Sequence, residues 1–378
     1  MRRILIVGAV YDKHAYRFIS KLKENNSTLE IDVFSYTKMC EPPECAEFCD
    51  NVFYPVEVLP VLYKLRYVGP LLRAWNFRRS LQLGKEYDAI IVLWVYTQNL
   101  FAYNAYKKLA KNLILVPLGS DVLRIGRFTR LFLRPIYQNA DYVVLSPIDF
   151  KLKVQKYFGV EESHIVMLDF GSSLIDLLTH NSITKEEAKK QLDISDKFVL
   201  TIGYNASIAQ NHLSVIQQID SVRDKLPSNI LLLLPMTYPS TMAAREYVRN
   251  VREYVQMRGY SYMVIEEYLD EKKLLYIRKS SDIFIHAQLT DAGCASIQEY
   301  ILSGSIVLNA GWLRYSELES YGIPYFIFNT INDLGLCLLE AVKKRGDFKY
   351  SPSLLKKISQ KGWNYQIKLW LSFLDSIK

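Results

Sequence analysis

The feature that most constrains this chain is a rhythm. Short, unbroken runs of Ile, Val and Leu recur along its whole length, and longer amphipathic stretches separate most of them. A strand covered on both faces reads as such a run, whereas a strand with one wet face alternates. The runs are Ile4–Val7, Ile31–Phe34, Ala89–Val95, Leu113–Val116, Tyr142–Leu145 and Ile165–Leu168, then Phe198–Ile202, Ile230–Leu234, Met263–Ile265, Ile283–Ile285, Ile306–Leu308 and Tyr325–Ile327. Strands alternating with helices predict parallel, doubly wound α/β sheets.

The series occurs twice, and 378 residues suit two domains at about 150 residues each. Between the halves lies the polar stretch Thr179-His-Asn-Ser-Ile-Thr-Lys-Glu-Glu-Ala-Lys-Lys, where Ser182 or Thr184 can cap a short helix. The boundary is expected near residues 171–183, giving domains 1–175 and 176–355. Residues 356–378 are expected to form a C-terminal helix packing back toward the first domain. Its stripe is Trp363, Ile367, Trp370, Leu374 and Ile377. Two such domains, Rossmann-like and facing each other, leave a central cleft at the carboxyl ends of their strands, where ligands bind.

With 50% hydrophobic and 23% charged residues the chain is neither disordered nor a polytopic membrane protein. No apolar window is long enough for a membrane span. Met1-Arg-Arg-Ile-Leu-Ile-Val-Gly reads as a first strand rather than a signal peptide, which predicts a cytoplasmic protein. Five cysteines make no disulfide framework, and Cys40, Cys45 and Cys49 lack a CxxC spacing or a nearby His. The net charge of +8 implies an anionic partner: nucleic acid, a phosphate-bearing substrate or an acidic membrane.

The most informative run spans Ser281 to Asn309. A buried strand ends at about His286, a loop carries Asp291 and Gly293, and a helix opens near Cys294 or Ala295 and contains Glu299. Small residues at a helix start let backbone N–H groups approach a phosphate. Glu299 lies about one turn inside, placed to accept hydrogen bonds from a ribose diol. An ordinary loop and helix with a solvated Glu fits the spacing equally well.

Asp291 and Glu299, eight apart with Gly293 between them, resemble the acidic-x7-Glu motif of nucleotide-sugar glycosyltransferases with the GT-B fold. The resemblance implies that Glu299 binds the nucleotide ribose and that Asp291 lies near the donor sugar. Leu145-Ser-Pro-Ile-Asp-Phe-Lys and Tyr157-Phe-Gly-Val are similar to the end of a GT-B N-terminal domain. A closer resemblance is to the bacterial transferases that move a TDP-activated 4-acetamido-4,6-dideoxygalactose onto a lipid-linked saccharide of enterobacterial common antigen. Ile202-Gly-Tyr-Asn-Ala-Ser-Ile-Ala-Gln-Asn-His, Leu234-Pro-Met-Thr-Tyr-Pro, Tyr247-Val-Arg-Asn-Val and Pro117-Leu-Gly-Ser-Asp-Val carry it. It covers mainly residues 113–310, and it implies donor contacts from Gly203, Tyr204, Asn205, Gln210, His212 and Tyr238, with Gly293, Cys294 and Ala295 at the helix start.

Many retaining GT-B enzymes hold the diphosphate with an Arg and a Lys in the loop after the first strand of the second domain. Here that loop has neither, so neutralisation falls to backbone N–H groups, Asn205, Gln210, His212 and a helix N-terminus, which leans toward inversion. Inversion needs a general base for the acceptor hydroxyl. Asp121 is the first candidate, His14 the second, since imidazole exchanges a proton near neutral pH, and Asp12 the third. No Asp-x-Asp pair stands near a strand end, so neither a metal nor another cofactor is implied.

The basic residues cluster. Lys64, Arg66, Arg73, Arg78 and Arg79 fall in an acid-free stretch with Leu71, Leu72, Trp75 and Phe77. Arg124, Arg127, Arg130 and Arg134 recur at helical spacing among Phe128, Leu131, Phe132 and Leu133. Such mixtures suit a helix lying on anionic lipid.

The reading is a GT-B glycosyltransferase, peripheral at the inner face of the cytoplasmic membrane. It would move a sugar from a UDP- or TDP-linked donor to a lipid-linked saccharide in bacterial surface-polysaccharide assembly. The alternatives are a nucleotide-sugar 2-epimerase of the same fold and a basic, non-enzymatic binding protein. Nucleic-acid binding lacks a signature motif. Dinucleotide chemistry is disfavoured because Gly8-Ala-Val-Tyr-Asp-Lys lacks the Gly-x-Gly-x-x-Gly turn.

Overall fold

A computed structural model describes residues 2–37, 41–55, 68–80, 86–291, 293 and 295–377. The chain forms two compact units, Met1–Gly171 with Trp363–Lys378, and Ser172–Gly362.

The first unit holds strands β1 (Arg3–Gly8), β2 (Glu30–Ser35), β3 (Asn51–Phe53), β4 (Tyr87–Leu93), β5 (Ala110–Val116), β6 (Tyr142–Leu145) and β7 (Ile165–Met167). They form one parallel sheet in the order β3-β2-β1-β4-β5-β6-β7. The apolar runs of β1, β4 and β5 are buried on both faces, as unbroken runs require. The sequence pattern misses β3, which is only three residues long and partly exposed. Asp50 Oδ2 accepts the Ile31 N–H at 2.8 Å and Asn51 Nδ2 donates to Asp32 Oδ1 at 2.7 Å, so side chains pin this edge where apolar patterning does not.

The helix Trp363–Ser376 completes this unit. Trp363, Ile367, Trp370, Leu374 and Ile377 are all buried, and Trp370 meets Phe18 of the helix Lys13–Asn25 edge-on at 4.7 Å. The Trp370 indole N–H donates to the Asp169 carbonyl at 2.9 Å. The single C-terminal helix expected from the sequence is instead two, Pro352–Ser359 in the second unit and Trp363–Ser376 in the first. The chain leaves helical geometry between them, where the Ser172 N–H takes the Lys361 carbonyl and Ser172 bridges Gly362.

The second unit holds β8 (Phe198–Ile202), β9 (Ile230–Pro235), β10 (Ser261–Ile265), β11 (Ile283–His286), β12 (Ile306–Ala310) and β13 (Phe326–Phe328), again all parallel, in the order β10-β9-β8-β11-β12-β13. Thr184, not Ser182, caps the helix Lys185–Gln191, with Glu187 closing the capping box. In both sheets the strand order reverses beside the first strand, between β1 and β4 and between β8 and β11. At such switch points loops diverge above and below the sheet and open a crevice at the carboxyl ends.

Candidate functional site

At the switch point of the second sheet, β8 ends and the chain turns at Gly203 with φ +63°. A Cβ there would lie 2.8 Å from His212 Nε2 and 2.9 Å from Gln210 Oε1, so both the turn and the packing demand glycine. The next loop is laced to its neighbours. The Ala206 N–H donates to the Tyr238 carbonyl at 2.5 Å, the Leu289 N–H to the Ala209 carbonyl at 2.9 Å, and Asn211 Nδ2 to the Ala287 carbonyl at 2.7 Å. The loops after β8, β9 and β11 therefore form one connected surface. Tyr238 stands exposed on it.

Beneath that surface is a polar interior. Gln288 Oε1 accepts from Gln210 Nε2 at 3.0 Å and from the Tyr204 hydroxyl. Asn205 Oδ1 accepts the Ser207 N–H at 2.9 Å. His212 opens the helix His212–Ser221 and is fully buried; desolvation pushes its pKa down to about 3, so the ring is neutral. Both its nitrogens and Gln210 Oε1 are buried without a hydrogen-bond partner among the described residues. Gln210 and His212, expected as donor contacts, lie buried under the turn. The N–H groups of His212 and Leu213 also meet the Tyr247 hydroxyl, which takes up part of this helix N-terminus.

β11 ends at His286, likewise fully buried, with its pKa lowered by desolvation. Its Nδ1 lies 3.1 Å from Asn309 Oδ1, and its ring is parallel to Tyr204 at 6.0 Å. Its Nε2 has no hydrogen-bond partner among the described residues and sits 3.9 Å from Asp291 Oδ2, which accepts the Tyr315 hydroxyl at 2.7 Å. His286, Gln288 and Tyr315 were not singled out from the sequence. The His at the end of an apolar run was the available signal.

The helix Ala295–Leu302 follows, with Gly293 and Ala295 exposed at its start, while Cys294 lies outside the described residues. Glu299 is not a solvated acid. Its Oε2 accepts from Arg278 Nε at 2.9 Å and its Oε1 from the Ser172 hydroxyl at 3.3 Å, and both members of the ion pair are buried. Arg278 also donates to the Tyr300 hydroxyl at 2.9 Å. A carboxylate has about four acceptor positions, so two remain for a ribose diol.

The first sheet's switch point carries the three candidate bases. Asp121 is fully buried, and both oxygens are engaged: Oδ2 accepts the Val95 N–H at 2.8 Å, and Oδ1 the N–H groups of Leu118 and Gly119 at 3.0 Å each. Desolvation pushes its pKa up to about 6 against those bonds. A carboxylate so enclosed holds the ends of β4 and β5 together, which removes it as first choice for a base. Asp12 caps the helix Lys13–Asn25, accepting the His14 N–H at 2.7 Å. His14 is exposed, with Trp94 edge-on at 6.4 Å.

Of the basic candidates, Lys64 and Arg66 lie outside the described residues. Arg130 donates to the Val122 and Leu123 carbonyls and stacks on Tyr157 at 4.0 Å, while Arg134 donates to the Phe158 carbonyl, so these two satisfy helix ends. Arg78 donates to the Phe101 carbonyl at 3.3 Å and Arg79 lies over Trp75. Arg73 is half-buried, and Arg124 and Arg127 are exposed. Beside them Phe128 is 88% exposed and Leu131 62%, on a helix, Arg127–Asn139, whose other face buries Leu133, Ile136 and Tyr137. Leu71 and Trp75 form a second exposed stripe on the helix Val68–Ser80. Among the described residues no helix is long and apolar enough to cross a membrane.

No protein-family model and no curated protein matches this sequence. Solved structures do. HepE of Anabaena, solved in complex with UDP, matches with a TM-score of 0.74 at 13% identity over 100% of both chains. A glycosyltransferase from Rickettsia africae matches at 0.73 and 12%, covering 100% of this chain and 98% of that one. Sucrose-phosphate synthase from Thermosynechococcus elongatus matches at 0.72 and 14%, covering 99% and 98%. At these identities the likeness establishes the fold: two parallel-sheet α/β domains of the GT-B type.

Proposed function

We propose that the chain is a glycosyltransferase that moves a sugar from a UDP- or TDP-linked donor to a lipid-linked saccharide in bacterial surface-polysaccharide assembly. The observation that carries the reading is the switch point between β8 and β11. Three loops are laced there over buried polar atoms that have no partner among the described residues. Buried polar groups are almost always hydrogen-bonded, so unpaired ones at a sheet's carboxyl end fit a ligand site. HepE, of the same fold, has been solved with UDP and with UDP-glucose. The resemblance of Ile202-Gly-Tyr-Asn and Leu234-Pro-Met-Thr-Tyr-Pro to the enterobacterial common antigen transferases supports a lipid-linked acceptor. The exposed Phe128, Leu131, Leu71 and Trp75 among arginines supply a surface for peripheral binding to anionic lipid.

In this reading Glu299 binds the ribose with the acceptor positions left by Arg278 and Ser172, and backbone N–H groups near Gly293 and Ala295 meet the diphosphate. Direct displacement inverts the anomeric centre, and His14 takes the proton of the acceptor hydroxyl. No metal is used, because neither loop offers an Asp-x-Asp pair.

The test is a thermal-shift panel of UDP, TDP, GDP and CMP, since a ligand of the native state raises the melting temperature. A shift with UDP or TDP that is absent in Glu299→Gln supports the site; a flat panel removes the reading. Gln is the better probe because it keeps the side chain's volume and one acceptor oxygen for Arg278, whereas Ala removes both. Flotation with anionic vesicles tests the membrane arm, and NMR of the product's anomeric proton tests inversion. Activity that survives EDTA supports the metal-free arm.

A further inference from the structure

His286 and Asp291 form a pair of acceptors that face each other. Asn309 Nδ2 donates to the Leu313 carbonyl at 3.1 Å and to the Ala310 carbonyl at 3.3 Å, which fixes the amide with Oδ1 toward His286. Oδ1 accepts only, so His286 Nδ1 carries the hydrogen. In the neutral ring Nε2 then bears a lone pair. Opposite it, at 3.9 Å, stands the carboxylate oxygen of Asp291, held by the Tyr315 hydroxyl. Two acceptors cannot bond each other. Tyr204 and Tyr315 flank the imidazole, with ring centroids 6.0 and 6.1 Å away. The fully buried Nε2 therefore meets no donor among the described residues.

We infer that His286 Nε2 and Asp291 Oδ2 form a slot for a hydrogen-bond-donating edge of the transferred sugar, and that His286 determines which sugar is accepted. This rests on the nucleotide-sugar reading above and names what its site selects. Two neighbouring hydroxyls, each donating to one acceptor, fill the slot, as does one amino group donating to both. A sugar lacking a donor there leaves the imidazole unpaired, and discrimination of that kind is large because a buried group loses its only partner.

The experiment is calorimetry on the full chain with UDP, UDP-glucose, UDP-galactose and UDP-N-acetylglucosamine. The quantity read is the affinity that each sugar adds over UDP alone. In the wild type at least one sugar adds about tenfold. His286→Phe abolishes that gain and leaves the UDP affinity unchanged, while His286→Gln, which keeps an acceptor, restores part of it. If UDP binds but the gain survives in His286→Phe, or no sugar adds affinity in the wild type, the slot is overturned and only a trapped water sits there. If UDP does not bind the wild type, the nucleotide-sugar reading itself fails. A second readout needs no variant. The 15N resonance of His286 Nε2 should show a lone pair in the free protein and move on addition of the preferred UDP-sugar but not of UDP. An unmoved resonance overturns the slot.

Discussion

The two sheets share a strand order around their first strands, and each carries candidate site loops at its switch point, yet their interiors differ there. In the first unit the buried carboxylate of Asp121 meets three backbone N–H groups, and little is left over. In the second, His212, Gln210 and His286 are just as buried and keep unpaired atoms. A saturated polar centre fixes loops; an unsaturated one is where the proposed ligand would bind. The first unit also buries atoms without a partner among the described residues, on Tyr137, His164 and Trp363, and it leaves Phe128, Leu131, Leu71 and Trp75 exposed.

The contrast makes opposite demands on pH, and this is where the largest effect is expected. Neutral His212 has a folded pKa of about 3, below the roughly 6.5 of an unfolded chain. Between those values the unfolded state binds the proton that the folded state refuses. Its contribution is complete above pH 6.5 and is lost as pH falls toward 3, by at most about 5 kcal/mol at about 1.4 kcal/mol per unit. Asp121 runs the other way. Its folded pKa of about 6 exceeds the roughly 3.9 of the unfolded chain. Its contribution is therefore present at low pH and lost as pH rises from 4 to 6, by at most about 3 kcal/mol. Urea midpoints of the wild type, His212→Phe and Asp121→Asn across pH 4 to 7 should give difference curves of opposite slope. Slopes of the same sign would break the comparison.

Next in size is deletion. Asp121→Ala leaves three buried N–H groups without an acceptor and should cost about 4 kcal/mol at neutral pH. His212→Phe removes two nitrogens that had no partner, so it should cost less than about 1 kcal/mol in the absence of ligand. Equal losses in chemical denaturation would mean that the imidazole is held by contacts as strong as those of the carboxylate.

Gly203→Ala should cost about 2 kcal/mol, from the positive φ and from the approach of a Cβ to His212 and Gln210. It sharpens the comparison because it disturbs the unsaturated end alone. UDP affinity should fall more than tenfold, while a proteolysis site in the first unit keeps its protection.

Much of this architecture is readable in the sequence, and the exceptions share a cause. The continuous runs mark twelve strands because burial is recorded in a strand's own residues, on both faces in the central strands and less completely in β7, β10 and β13. Thr184 and Glu187 announce a capping box locally. Asp291 and Glu299 stand out through a family resemblance, since their spacing alone fits an ordinary loop and helix equally well. The environment of Glu299 is not, because Arg278 and Ser172 reach it from distant segments of the chain. Asp121 looked like a base for the same reason: its Val95 partner lies on another strand's end, and the enclosure that disqualifies it is tertiary. His286 was overlooked because a His closing an apolar run reads as core until Asn309 and Asp291 are seen around it.

The smallest effect on folding belongs to the exposed helices. Phe128 and Leu131 make little use of the core, so the double substitution Phe128→Ser, Leu131→Ser should change the urea midpoint by less than about 0.5 kcal/mol. Transfer of two large apolar side chains into a lipid interface is worth about 1.5–3 kcal/mol each when burial is complete. The same variant should therefore lose most of its flotation with anionic vesicles, and salt should weaken what remains through Arg124 and Arg127. If flotation persists unchanged, or if the variant unfolds, these side chains serve the protein's interior. The first unit would then have no unmatched surface to set against the unmatched interior of the second.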